Sequence, residues 1–264
     1  MFKKIIAIAL AALMLCACLT ACGSKGATLD GIKKAGKLVI ATSPDFPPFE
    51  ELQADGTVTG IEIDIMELIC EELGVELEIQ QMNFDSVLPG IQAGKYDVGV
   101  SGISVTPKRE KNVKFTVPYC LAAQAIVVLE GSDVKSKADL TDKKISVQSG
   151  TTAETFCMEN NYDISAFAAN SDAELALTTG KVAAWVIDDL TAAEMVAAYN
   201  AENPDTKLVI LDEAMTTEPY AFAFNLDSAE LVEEINTIVE KLVADGTVAK
   251  IFEEYNAPYT SPNN

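Results

Sequence analysis

Apolar and polar positions along this chain switch repeatedly between two periods. KLVIAT at 37–42 is an apolar run of strand length. IDIMELICEELG at 63–74 spaces its apolar residues by three and four before a closing glycine, as an amphipathic helix does. VELEIQ at 75–80 alternates as a strand, SVLPGIQAG at 86–94 reads as a short helix, and 97–103 as a further strand. The strand-like stretches QAIVVLE, KKISVQ, AAWVID and KLVIL follow, interleaved with helix-like AETFCMEN, AELALTT and LTAAEMVAAY. YAFAFN at 220–225 predicts a late strand, and 229–246 a long helix with a glycine stop. Alternating strands and helices predict an α/β fold with largely parallel sheets. The apolar stretches at 124–129 and 220–224 bracket the second block, so the chain is expected to cross there into a second lobe and return. That organisation gives a discontinuous first lobe (37–122 with 218–264), a second lobe at 123–217, and a two-strand hinge.

The first 21 residues stand apart. Lys3 and Lys4 precede an apolar run and small residues, the arrangement of a secretory signal, and the run is too short for a spanning helix. It ends in Leu19-Thr20-Ala21-Cys22-Gly23, which resembles the lipobox of bacterial lipoproteins. That resemblance implies cleavage before Cys22, diacylation of its thiol, and a tether over 22–36, beginning with the polar stretch 23–27. The chain is therefore expected outside the cytoplasm, lipid-anchored to the cell membrane.

Charge and composition narrow the remaining chemistry. The formal net charge of −21 opposes binding to nucleic acid or to an anionic bilayer surface. The chain has no histidine, and Cys70, Cys120 and Cys157 are widely spaced, so neither a zinc pattern nor a disulfide framework is present and no metal or cofactor is expected. The three thiols read as small buried apolar residues.

The polar residues of interest fall just after predicted strands: Ser43, Asp45, Phe46, Phe49 and Glu50; Ser104 to Arg109; Gln148 to Thr152; and Asp188 with Asp189. Ligands of open α/β sheets bind beyond the carboxyl ends of strands. Arg109 is the only arginine in the chain. A guanidinium grips a carboxylate through two parallel hydrogen bonds, which an ammonium cannot do. With Ser104 it forms a candidate carboxylate clamp, the alternative being a surface ion pair or helix cap. Asp188 or Asp189 is a candidate acceptor for an ammonium, and either also suits a helix N-cap. Thr151 and Glu154 are spaced as a capping box. Phe46 and Phe84 offer faces for an apolar stem or for core packing. Glu50 either grips a basic side chain or faces solvent.

Longer stretches carry a resemblance. ATSPDFPPFE, GTVTGIEIDIMELICEELG, NFDSVLPGIQAGKYDVGVSGISVTPKREKNVKFTVPY, DLTDKKISVQSGTTAE, TTGKVAAWVIDD and IVEKLVADGTVAKIFEEY, in that order, resemble the polar-amino-acid family of extracellular solute-binding proteins, family 3, of ABC transporters. The resemblance implies a two-lobed fold like the type II periplasmic binding proteins. It also implies a monomer that closes on a free polar amino acid and delivers it to a membrane permease. Carried over singly, Arg109 would hold the α-carboxylate, helped by Ser104 and the Thr152 amide or hydroxyl. Asp188 with the Gly102 carbonyl would take the α-ammonium. Phe46 would stack on the ligand side chain opposite Phe84, and Gln148, Ser43 and Glu50 would tune selectivity. The sequence departs from the family at Ala183-Ala184, where an Asp-Ala pair is usual, and at Ser43, an aspartate in several binders of basic amino acids. Ser43 weakens a lysine or histidine assignment, whereas Glu50 favours a cationic ligand such as arginine. The rival readings are a dehydratase-like cleft enzyme of the same fold, which would need a positioned acid or base, and the ligand-binding component of a sensor.

Overall fold

The structure is a computed structural model and describes residues 26–263. The predicted signal at 1–21 and the lipidation site Cys22 lie outside the described residues. Part of the expected tether is instead a helix, α1 (Leu29–Ala35). Thr28 Oγ1 accepts the Gly31 N–H at its start, Gly36 closes it, and Ile32 is buried. One apolar side chain pressed into the core is enough to fix a short capped turn that the polar neighbours hid.

The first sheet is built from β1 (Lys37–Thr42), β5 (Glu76–Gln81), β6 (Val98–Gly99), β7 (Lys114–Phe115) and β15 (Ala223–Phe224), in the order β5-β1-β6-β15-β7. β1 runs parallel to β5 and β6, and β15 is antiparallel to its neighbours β6 and β7. A small three-stranded sheet joins β2 (Asp45–Phe46), β3 (Glu50–Leu52) and β4 (Val58–Thr59) beside it. Helix α2 (Ile61–Leu73) buries Ile61, Ile65, Met66 and Ile69. A fully buried aliphatic side chain contributes about 1.5–3 kcal/mol, so this face alone secures the helix. α3 (Phe84–Gln92) follows, and α7 (Ala229–Ala244) and α8 (Thr247–Glu254) complete the lobe.

The second sheet comes from β9 (Gln124–Leu129), β10 (Lys144–Gln148), β11 (Asp163–Phe167), β12 (Ala184–Asp188) and β13 (Leu208–Ile210), in the order β11-β10-β12-β9-β13. β10, β11 and β12 are parallel, and β9 and β13 complete the sheet antiparallel. Helices α4 (Thr152–Glu159), α5 (Asn170–Thr178) and α6 (Asp189–Glu202) pack against it. Trp185 of β12 is fully buried in the core.

Between the two sheets run β8 (Cys120–Ala122) and β14 (Glu218–Tyr220), paired antiparallel. The crossing strands are therefore shorter and earlier than the apolar runs from which they were predicted. The stretch 124–129 lies inside the second sheet, and 220–224 divides between the crossing and β15, because two connected strands of like hydrophobicity carry no internal boundary in sequence. Cys70, Cys120 and Cys157 are buried free thiols, and burial pushes Cys70 up to about 11 and Cys157 up to about 12. Among the described residues no helix is long and apolar enough to cross a membrane.

Candidate functional site

The carboxyl ends of β1, β10 and β12 and the loop after β6 converge on one narrow cavity. Its lining includes Ser43, Phe46, Phe84, Gly102, Ser104 and Arg109 from the first lobe, and Gln148, Thr152 and Asp188 from the second. Asp45, Ser101 and Thr151 line it too. Nine of the ten residues singled out from sequence thus meet in one cleft.

Arg109 sits where the lobes meet. Its Nη1 donates to the Ser104 carbonyl at 2.9 Å and its Nη2 to the Gly150 carbonyl at 3.1 Å, one acceptor from each lobe. The guanidinium lies over the Phe84 ring, 5.6 Å from its centroid. Burial lowers its pKa, and the nearby Glu218 and Asp188 carboxylates oppose that shift, so it stays charged. Among the described residues it makes no ion pair; the four that occur are Lys–Glu pairs on the surface. Neither the surface salt bridge nor the helix cap describes it.

Asp188 ends β12 at 7 % exposure and stands at the N-cap of α6 without making a side-chain cap bond. Asp189 turns to the backbone instead, where its Oδ1 accepts the Leu190 N–H at 2.9 Å. Asp188 accepts a hydrogen bond from the Tyr220 hydroxyl. Burial first, and then the Glu218 carboxylate, push its carboxyl up to about 8, against the lowering effect of the Tyr220 and Gln124 hydrogen bonds.

Thr151 Oγ1 accepts the Glu154 N–H at 3.1 Å, and Glu154 Oε2 accepts the Gly150 N–H at 2.8 Å, which frames the start of α4. Gly150 has φ +81, and a Cβ there would meet the Asp85 Cα of the other lobe at 3.0 Å. The Thr152 N–H, in the first turn, has no intrahelical acceptor. The hydroxyls differ from expectation. Ser104 and Thr152 both donate to Glu218 Oε2, at 2.5 and 2.6 Å, so each presents lone pairs rather than a proton to the cavity.

Phe46 stacks on Phe49, with ring centroids 5.5 Å apart, and covers Gly102, where a Cβ would come within 2.4 Å of its ring. Ser43 Oγ donates to Asp45 Oδ1 at 2.8 Å. Asp45 Oδ2 also accepts Gln148 Nε2 at 3.1 Å and the Asn170 N–H at 2.8 Å, joining the lobes. Glu50 corrects the sequence reading on both counts: it is fully buried, does not line the cavity, and accepts from Ser101 Oγ at 2.9 Å. Its side chain turns inward from the small sheet, away from solvent and cleft alike. Sequence reasoning missed Glu218, Tyr220 and Asn170 as parts of the site. The first two return to it on the second crossing strand, 32 to 114 residues after the side chains they meet, with no local motif to mark them.

The cavity shares Phe84, Ser104, Arg109 and Thr152 with a wider groove open to the surface, which gives a small molecule a route in. The chain is 30% identical over 242 residues to an arginine-binding extracellular protein of Bacillus subtilis, covering 90% of this chain and 92% of that one. A crystal structure of a mutant arginine-binding protein from T. maritima superposes with a TM-score of 0.79 at 36% identity, covering 86% of this chain and 98% of that one. An amino acid ABC transporter substrate-binding protein of Streptococcus pneumoniae, solved bound to L-arginine, superposes at 0.78 with 34% identity, covering 86% and 97%. The model of the bacterial extracellular solute-binding proteins, family 3, matches residues 38–258, and with that span of agreement this chain belongs to that family.

Proposed function

We propose that the chain captures a free polar amino acid between its lobes, favouring one with a cationic side chain such as arginine, and hands it to the permease of an ABC transporter. The observation that carries this reading is a desolvated guanidinium without an ion pair, sharing one cleft with a buried aspartate of the opposite lobe. A zwitterion supplies the missing partner to each: its carboxylate to Arg109 and the Thr152 amide, its ammonium to Asp188, the Gly102 carbonyl and the Ser104 lone pairs. Hydrogen bonds to charged groups contribute about 1.5–3 kcal/mol each, so the set supports micromolar binding or tighter. Both ends of the ligand are satisfied only when the lobes are shut, so binding shifts the population toward the closed form.

The preference for a cationic side chain follows from charge. Asp188 and Arg109 answer the two ends of the zwitterion, and Asp45 remains on the cavity wall as a further acid. The arginine binders among the relatives point the same way. Residues 123–217 act as the moving lobe against the rest, and the Cys22 lipid holds the protein at the outer face of the cell membrane. Isothermal calorimetry of the soluble chain against the common amino acids tests the reading. Saturable binding of arginine above glutamine, and above uncharged apolar amino acids, is expected, and no heat with any amino acid overturns it.

A further inference from the structure

Two carboxylates beneath the cleft have no part in the site as described. Glu50 and Glu62 are both fully buried. No cation accompanies them: the titratable groups that face the pair are Asp45, Tyr119 and Cys120, all acids. A pair of buried, ionised carboxylates in contact without a counter-charge is strongly disfavoured.

The hydrogen bonds say how the pair is accommodated. Glu62 Oε1 accepts from the Tyr119 hydroxyl at 2.7 Å and Oε2 from the Gly102 N–H at 2.8 Å, so both its oxygens are engaged as acceptors. Glu50 Oε1 accepts from Ser101 Oγ, which in turn accepts the Ser43 N–H at 3.1 Å. Glu50 Oε2 is buried and no donor reaches it. An orphaned acceptor beside a carboxylate is satisfied at once if it is a hydroxyl donating to that carboxylate.

We propose that Glu50 is a neutral acid whose Oε2–H donates to the Glu62 carboxylate, and that this pair positions the Ser101–Gly102–Ser104 loop for the ligand ammonium. Burial and the neighbouring Glu62 carboxylate, which hold Glu50 well above the usual carboxylate range, support the same assignment. Glu62 fixes the Gly102 N–H from below, at a backbone φ of +52, while the Phe46 ring covers the same glycine from the other side. The Gly102 carbonyl is thereby aimed by Glu62, which does not line the cavity, and by Phe46, which does, and Ser43 and Ser101 are tied into the same frame. The positioning role rests on the amino-acid-binding reading; the proton assignment does not.

The test separates the two. Infrared spectra in an Asp188→Asn background, which removes the carboxyl raised to about 8, are expected to show a neutral carboxylic-acid carbonyl band at pH 7 that disappears in Glu50→Gln. Absence of the band, or its survival in that variant, overturns the proton assignment. For positioning, Glu50→Gln copies the neutral acid and is expected to keep arginine affinity within about threefold. Glu62→Gln has one acceptor oxygen for three donors, and Glu50→Leu offers none to Ser101, so each is expected to weaken binding by about tenfold or more. Equal losses in Glu50→Gln and Glu62→Gln, with both proteins folded by circular dichroism, overturn the positioning role. If the unaltered protein binds no amino acid, the infrared result still decides the proton.

Discussion

Asp45 Oδ2 accepts the backbone N–H of Asn170 at 2.8 Å, across the cleft and 125 residues along the chain. Asn170 opens α5, whose N-cap position is Ala169, a residue with no side-chain oxygen to offer. The cap of a second-lobe helix is thus supplied by the first lobe, and only in the closed arrangement. A missing cap costs about 0.5–2 kcal/mol. Asp45→Ala is therefore expected to weaken uncharged ligands such as glutamine by up to about thirtyfold, and arginine further because the charge goes too, mainly through faster dissociation in stopped-flow traces. Asp45→Asn keeps an oxygen for the Asn170 N–H but loses the charge. It is expected to weaken arginine by about tenfold while sparing glutamine, and a uniform loss would remove Asp45 from side-chain recognition.

Arg109→Lys keeps the charge and loses the fork. An ammonium cannot hold the Ser104 and Gly150 carbonyls while presenting two parallel donors to a carboxylate. Affinity is expected to fall by about a hundredfold or more, and calorimetry giving near-normal binding would take Arg109 out of the site.

Asp188 makes both binding and stability depend on pH. With its carboxyl raised to about 8 in the ligand-free protein, the group must lose a proton to meet an ammonium. Between pH 6 and 8 affinity is expected to rise by up to tenfold per unit, with about one proton released on binding, readable from calorimetry in buffers of different ionisation heat. For stability the sign is opposite. The unfolded chain releases this proton near pH 4 and the folded chain keeps it to about 8, so stability is fully present at low pH and declines across that window. Asp188→Asn is expected to abolish tight binding and yet raise the melting temperature at pH 8, a gain of about 1–3 kcal/mol that disappears near pH 4.

Gly150, just before α4, packs against the Asp85 backbone of the first lobe. Gly150→Ala places a methyl group against the Asp85 backbone and strains a left-handed φ. Small-angle scattering is expected to show a larger radius of gyration in the presence of ligand than the unaltered protein gives, with affinity down about tenfold. An unchanged ligand-bound radius would mean that closure does not need this contact.

The long elements were legible because each obeys one period over its whole length. The strand at 37–42 lies where its apolar run predicted, and the helix predicted at 63–74 begins two residues earlier, at Ile61. The helix predicted at 229–246 ends at Ala244. β11 was not predicted: DISAF is a short edge strand whose apolar face is only Ile164 and Ala166, while Asp163, Ser165 and Phe167 mix polar and apolar on the other. In the cleft, the residues that follow strands were found because the fold places ligands there. Glu50 was misread because two acids burying each other leave no mark in sequence: the same residue type facing solvent looks identical. The contributions of Glu218 and Tyr220 depend on how the chain returns, which no local pattern records.

That return has a consequence for how the molecule is made. β15 lies between β6 and β7, so the first sheet has a gap beside its edge strand β7 until residues 223–224 arrive. The second sheet is complete once residue 210 has been delivered. Emerging from the N-terminus, the later-encoded half can finish its core first. The earlier half meanwhile waits with two exposed inner strand edges, a natural place for a chaperone or an unwanted neighbour to pair.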